Sequence, residues 1–327
     1  MFEITRRHAL AALAAPALLR APGAAAQEFP TREIRLVIPW AAGGGTDIIG
    51  RQLQQLLMAQ GLRTVVENLA GGSSVVGMTR VAGSRPDGYT VGLASTSILA
   101  LMASGTIGLR NEQFSNLVRV SEDPMLLLVA ANSPWRDLPA YFDAFRAKRG
   151  GMSVGVSGTR GTVSHIFSVV MARALGSDYI FSGYTGGSHA VTDLIGGHID
   201  SVILKPNETM AQIRANQLRP IATFAPQRLA LLPDVPTFAE AGINVFPYGP
   251  ITQMTYLSGP SGMPAAIAAR LADGFRQAIL SPEFQAFAAE NGFPADGLAG
   301  ADFGKLCDDV QATMLAVGNN LGVFNPE

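Results

Sequence analysis

The sequence predicts an α/β protein of two strand–helix units, with a C-terminal helical segment returning to one of them. Three observations carry this. Strand-like runs alternate with amphipathic helical segments, the pattern of a parallel sheet covered by helices. A corner made of a strand, a Gly-rich loop and a Ser/Thr/Asp-started helix occurs twice, at 39–47 and 157–165. A chain of 327 residues, 48% of them hydrophobic, is long enough for about two domains at ~150 residues each.

Ile34–Ile38 reads as the first strand, ended by Pro39. The loop Trp40-Ala41-Ala42-Gly43-Gly44-Gly45 leads to Thr46-Asp47, a helix start with Asp47 as N-cap. Ile48, Leu53, Leu56 and Leu57 give that helix its apolar face, and Gly61 stops it. Further strands are expected at 64–66 and 89–94, and the unbroken apolar run 125–130 reads as a buried one. A helix over 140–148 leads to a strand at 152–156. The second loop, Ser157-Gly158-Thr159-Arg160-Gly161-Thr162, opens a helix reaching about Leu175. A helix near 190–195 and strands at 201–204 and 221–224 follow. Pro233, Pro236, Pro247, Pro250, Pro260 and Pro264 make the next stretch read as crossover and loops, before helices near 265–280 and 302–317.

Composition excludes several functions. Lys+Arg number 24 against 25 Asp+Glu, a formal −1 that gives no electrostatic footprint for nucleic acid or anionic membrane. One cysteine excludes an internal disulfide framework and a CxxC site, and Cys307 reads as a buried structural thiol. Residues 1–26 read as an export signal: Arg6 and Arg7, an apolar run, then Ala24-Ala25-Ala26, with cleavage near Ala26. Its Arg-Arg pair fits either twin-arginine or ordinary Sec export. Either route places the protein outside the cytoplasm, and no later run is long enough to anchor it in a membrane. Without that signal the chain keeps 21 basic and 24 acidic residues, a formal −3.

Enzyme signatures fail. Gly155-Val156-Ser157-Gly158-Thr159 lacks the last glycine of a nucleophile elbow, and Gly43-Gly44-Gly45 lacks the third glycine of a dinucleotide loop. His165, His189 and His198 have no zinc spacing, so neither a metal nor a cofactor is expected. The two Gly-rich corners are what remains. Glycines let backbone N–H groups turn toward a ligand, and a helix N-terminus adds orphan donors and positive partial charge. Two such ends facing across a cleft could hold both ends of a dicarboxylate without a buried lysine.

At these same residues the chain resembles the periplasmic substrate-binding receptors of tripartite tricarboxylate transporters, the Bordetella uptake gene family. The stretches that carry the likeness are PTREIRLVIPWAAGGGTDIIGR (30–51), VENLAGGSSVVG (66–77), RPDGYTVGLAS (85–95), GYTGGSHAVTDLIGGHID (183–200) and LPDVPTFAEAG (232–242), with SGPSGMP (258–264) and LSPEFQAFAAENG (280–292) extending it. The resemblance implies a two-lobed periplasmic-binding-protein fold with a ligand cleft between lobes. Lobe 1 is expected at 27–125, completed by 250–327, and lobe 2 at 126–249. It also implies a periplasmic, monomeric receptor that captures a small carboxylate and delivers it to membrane transporter subunits, without catalysis. The gripping residues carried over are Trp40 to Asp47 and Ser157 to His165, with Tyr184, Thr185 and Gly186 at the rim and Ser73, Ser74 and Ser95 nearby. The chain departs from the family pattern in having Ser73 and Ser74 in glycine places. Its second loop is one residue longer, at Thr159 or Arg160, Val169 stands where an acid is common, and 204–207 reads Leu-Lys-Pro-Asn.

Several residues admit two readings. Trp40 either packs over the ligand or closes its lobe. His165 either stabilises the helix start or touches ligand, and Tyr184 either hydrogen-bonds ligand or packs. Arg160 and Lys205 are either solvated charges or direct carboxylate partners. As a carboxylate partner, Arg160 truncated to Ala would weaken an anionic ligand at least about tenfold, ~1.4 kcal/mol. The rivals to a transport receptor are an exported hydrolase of a small ester or amide and a sensory receptor for a small carboxylate.

Overall fold

The computed structural model describes residues 29–324, so the export signal read at 1–26 lies outside the described residues. The chain begins with β1 (Ile34–Ile38), α1 (Gly45–Ala59), β2 (Thr64–Asn68), α2 (Val75–Ala82), β3 (Thr90–Ser95), α3 (Thr96–Ala103) and β4 (Phe114–Glu122). It then crosses to β5 (Leu126–Ala130), α4 (Leu138–Ala147), β6 (Ser153–Ser157), α5 (Val163–Leu175), β7 (Ile180–Tyr184), α6 (Gly187–Ile195), β8 (Ser201–Leu204), α7 (Pro206–Arg214) and β9 (Leu218–Thr223). It returns through β10 (Met254–Pro260) and ends in α8 (Ala265–Ile279), α9 (Pro282–Glu290) and α10 (Gly300–Asn320).

The strands form two five-stranded sheets, ordered β2-β1-β3-β10-β4 and β7-β6-β8-β5-β9. In the first, β1 pairs in parallel with β2 and β3, and β10 lies antiparallel between β3 and β4. In the second, β6 pairs in parallel with β7 and β8, while β5 runs antiparallel to β8 and β9. Each sheet therefore has four strands running one way and one, β10 or β5, running against them, and helices start from the carboxyl ends of β1, β2 and β3 and of β6, β7 and β8. The two crossings are tied together, because the Asp123 N–H donates to the Gln253 carbonyl at 2.8 Å.

Burial explains the strand sequences. Ile34, Leu36 and Ile38 face a cluster with Ile49, Leu53 and Leu57 of α1 and Leu271 and Phe275 of α8. Val37 faces the other side, with Met78 of α2 and Ile98 of α3. Both faces of β1 are thus covered, which is why it reads as an almost continuous apolar run. Each buried leucine of α1 contributes about 2 kcal/mol.

The stretch read as crossover and loops hides β10, which is buried along its whole length. Its flanking prolines mark where the strand is entered and left. Phe303, Cys307, Val310, Met314 and Val317 form the buried stripe of α10, which packs on α3 and β4. Burial pushes the Cys307 thiol up to about 12, with Asp308 adding to it, so it stays protonated at neutral pH. The last turn of α10 reaches the second sheet: Arg173 of α5 donates to the Leu321 carbonyl at 2.5 Å and to that of Asn320 at 3.3 Å.

Candidate functional site

The site follows from the topology. In open α/β sheets the crevice beyond the strands' carboxyl ends collects helix N-termini. Here α1 follows β1, α3 follows β3, α5 follows β6, α6 follows β7 and α7 follows β8. Residues from all five N-termini line one cavity, namely Gly44, Gly45 and Thr46; Ser95 and Ser97; Ser164; Gly186; and Lys205 and Glu208. Trp40, Ser157 and Gln253 complete the wall. The cavity holds about 20 Å³, room for roughly one water molecule. The cleft is closed, and anything larger enters only if the two sheets part.

The first loop is held by Asp47, though not as the N-cap. The cap position is Gly44, and Asp47 sits in the first turn. Its carboxylate accepts from the Gly43 N–H at 2.8 Å, Arg51 Nε at 2.9 Å and Asn68 Nδ2 at 2.9 Å. Burial alone would push the carboxyl up, but these donors outweigh burial and hold it below its usual range. Gly43 has φ +74, the left-handed turn that brings its N–H back to Asp47. Gly45 is required for a different reason: a Cβ there would fall 2.6 Å from Asn207 Oδ1, where α7 approaches from the other sheet.

The second loop is braced by His165. Its Nδ1 accepts from the Gly161 N–H at 3.0 Å, so the ring proton is on Nε2. Burial, then the nearby Arg160 charge, pushes this imidazole down to about 4. Thr162 caps the loop from within, donating its hydroxyl to the Thr159 carbonyl at 2.8 Å. His165 thus supports the helix start, and it does not line the central cavity.

Contacts cross the cleft at several points. The Thr159 N–H donates to Ser73 Oγ at 2.6 Å, and that hydroxyl donates to Thr159 Oγ1 at 2.8 Å. Asn207 Nδ2 donates to the Gly45 carbonyl at 3.2 Å, and the Val163 N–H reaches Ser97 Oγ at 3.4 Å. A second cavity of about 100 Å³ lies beside the first, lined by Ser73, Gly158, Thr159, Tyr184 and Thr185. Trp40, only 7% exposed, is the wall shared by both.

The sequence-derived candidates thus separate. Trp40, Gly44, Gly45, Thr46, Ser95, Ser157, Gly186 and Lys205 meet at the central cavity. Ala42 and Gly43 are exposed, and Ala41 packs against Gly186. Ser74 is buried at α2's start with its hydroxyl unpartnered, and Gly161 turns at φ +86 beneath Leu101 and Phe324. The Tyr184 hydroxyl is committed, donating to Asp193 at 2.7 Å; burial and that carboxylate push the phenol up to about 12.

Arg160 and Lys205 take different places. Arg160 does not enter the central cavity; it is exposed, with its guanidinium 4.8 Å from the Phe181 ring centroid. Stacking on that outer face draws it away from the cleft. Lys205 is not a solvated charge. It is 6% exposed and its ammonium meets Asp123 Oδ2 at 3.0 Å, where Thr255 also donates. Burial would lower this lysine, but Asp123 and Glu208 outweigh burial and hold it charged.

Ser164 fell within the stretch carried over from the family, but sequence reasoning missed Ser97, Glu208 and Gln253. Ser95-Thr96-Ser97 after a strand is an N-cap signature, and Pro206 with Glu208 two residues on has the spacing of a helix first turn. Gln253 carries no local signal, since it reaches the cavity from the second crossing. Among the described residues no helix is long and apolar enough to cross a membrane, and no three His, Cys, Asp or Glu converge as metal ligands.

The sequence pattern of the tripartite tricarboxylate transporter family receptor matches residues 49–322. The chain belongs to that family. A UPF0065 protein in the gbd 5′ region of Cupriavidus necator is 30% identical over 86% of this chain and 85% of its own. A solved structure described as that of a periplasmic transporter has 27% identity and a TM-score of 0.85, covering 90% of this chain and all but 1% of its own. MatC from Rhodopseudomonas palustris with bound malate shares the fold at a TM-score of 0.79, with 24% identity over 90% of this chain and 100% of its own. The fold is therefore the two-lobed one of periplasmic binding proteins, and the family is one of solute-binding receptors rather than enzymes.

Proposed function

We propose that this receptor captures a small carboxylate between its lobes, in the central cavity, and presents the closed form to transporter subunits in the membrane. The observation that carries the reading is the meeting of five helix N-termini at one closed cavity. Partial positive charge and undirected N–H groups at helix starts stabilise an anion without a dedicated basic side chain. Serine and threonine hydroxyls from Thr46, Ser95, Ser97, Ser157 and Ser164 add adaptable donors. Malate bound to a protein of the same fold is consistent with this chemistry.

In this reading lobe 1 comprises 27–125 and 250–327 and lobe 2 comprises 126–249, hinged at the two crossings. The signal at 1–26 directs a monomer to the periplasm, and the bound solute leaves chemically unchanged. Thermal shift of the purified protein across a library of carboxylic acids tests it. Binding to the native state alone raises the melting temperature, by about 2.7 kcal/mol of stabilisation at a hundredfold excess over Kd. No shift with any di-, tri-, aromatic or amino acid would sink the proposal, and turnover of a bound ester or amide would favour a hydrolase.

A further inference from the structure

Glu208 gives the cavity a negative charge of the protein's own. Its carboxylate accepts from the Lys205 N–H at 3.0 Å and faces the Gly45 N–H at 3.5 Å. A Cβ on Gly187 would fall 2.6 Å from the same carboxylate. The N-termini of α1, α6 and α7 are therefore already supplied with an anion.

Lys205 is shared: its ammonium pairs with Asp123 and also feels Glu208, so this cluster sets one ammonium against two carboxylates, Asp123 buried and Glu208 half-buried. Around it, acceptors lack donors: Gln253 Oε1, which belongs to a residue lining the cavity, Asn207 Oδ1 and Asp123 Oδ1 are all buried without hydrogen-bond partners. Gln253 and Asn207 are 7% and 5% exposed. Elsewhere the wall carries hydroxyls at the starts of α3 and α5, Ser95, Ser97 and Ser164, with Ser95 Oγ unpartnered.

We propose that Glu208 is the specificity-determining residue, and that it selects a ligand with one carboxylate and an N–H-bearing second end, an ammonium or a primary amide. The carboxylate lies toward the hydroxyls at the starts of α3 and α5, and the N–H end lies on Glu208. A second carboxylate at that end would meet the like charge of Glu208 in a confined space. The inference rests on the receptor reading above and names the ligand class within it.

Titration calorimetry at pH 7 tests it with matched sets: succinate, succinamate and 4-aminobutyrate; the three- and five-carbon equivalents; and isophthalate with 3-carbamoylbenzoate. In the best-binding set the amide or ammonium acid binds at least tenfold tighter than the diacid. Glu208→Gln reduces that ratio tenfold or more, while Glu208→Asp, which keeps the charge, retains its direction. Should Glu208→Gln not fold, the wild-type ratio and Glu208→Asp decide. A diacid binding the wild type as tightly as its mono-amide, or a ratio unchanged in Glu208→Gln, overturns the role of Glu208 and leaves the receptor reading standing. Absence of binding by every acid overturns both.

Discussion

Thr159 donates its backbone N–H to Ser73 Oγ at 2.6 Å, joining the loop after β2 to the loop after β6 across the cleft. Ser73 returns the bond through its hydroxyl to Thr159 Oγ1. Ser73 itself sits at φ 54, a conformation glycine adopts freely. Ser73→Gly therefore removes the cross-cleft bonds with little change to the loop. Ligand dissociation should speed up roughly three- to tenfold, at about 1 kcal/mol for the lost bonding, as read by stopped-flow fluorescence of Trp40. An unchanged dissociation rate would show that the bonds do not hold the closed form.

Asp47 organises the first loop through three donors, Gly43, Arg51 and Asn68. Asp47→Ala should destabilise the protein by about 2 kcal/mol, the usual scale for hydrogen bonds to a charged group. It should also weaken ligand binding, because the α1 start loses its frame. Chemical denaturation with a matching titration checks both.

His165 makes stability depend on pH. Its folded-state value of about 4 lies below the ordinary 6.5, so the unfolded chain binds the proton more readily. The stabilisation is fully present above pH 6.5 and is lost as pH falls through about 4. Protonation would also set an N–H on Nδ1 against the Gly161 donor. Melting temperature should fall over that window, and His165→Asn, which keeps an acceptor but does not titrate, should flatten the fall. Parallel curves for the two proteins would refute this.

Arg160 and Lys205 should behave oppositely. Arg160→Ala should change affinity less than about threefold (under 0.7 kcal/mol), because the side chain stacks on Phe181 outside the cavity. Lys205→Met leaves Asp123 buried and uncompensated, which costs about 3–5 kcal/mol. Pairing it with Asp123→Leu should restore much of that stability. Circular-dichroism melts of the single and double variants decide the second point, and calorimetry decides the first.

Most parallel strands, though not β7, and most helices were legible because Ile34–Ile38 and the stripe of α1 follow burial on regular spacings. What escaped has physical causes. β10 is buried on both faces and bounded by prolines, so it shows no alternation. α2 starts after Ser73 and Ser74, two serines in the left-handed region where glycine would have signalled a turn. At the site, the Gly-rich corners were readable because backbone donors need glycines nearby. The direction of a loop side chain was not: nothing local to Arg160 says that it turns to Phe181, nor to Lys205 that it finds Asp123 from a distant crossing.

The position of β10 has a bearing on how the molecule is made. It fills the middle of the first sheet, between β3 and β4, yet comes from residues 254–260. During synthesis from the N-terminus, that sheet has two open edges until the entire second sheet has emerged. The second sheet draws all its strands from one contiguous stretch, β5 to β9, and can pair completely first. The order of assembly is thus set by topology: the inserted unit matures while its host waits, and any chain ending before residue 254 presents unpaired strand edges that favour aggregation.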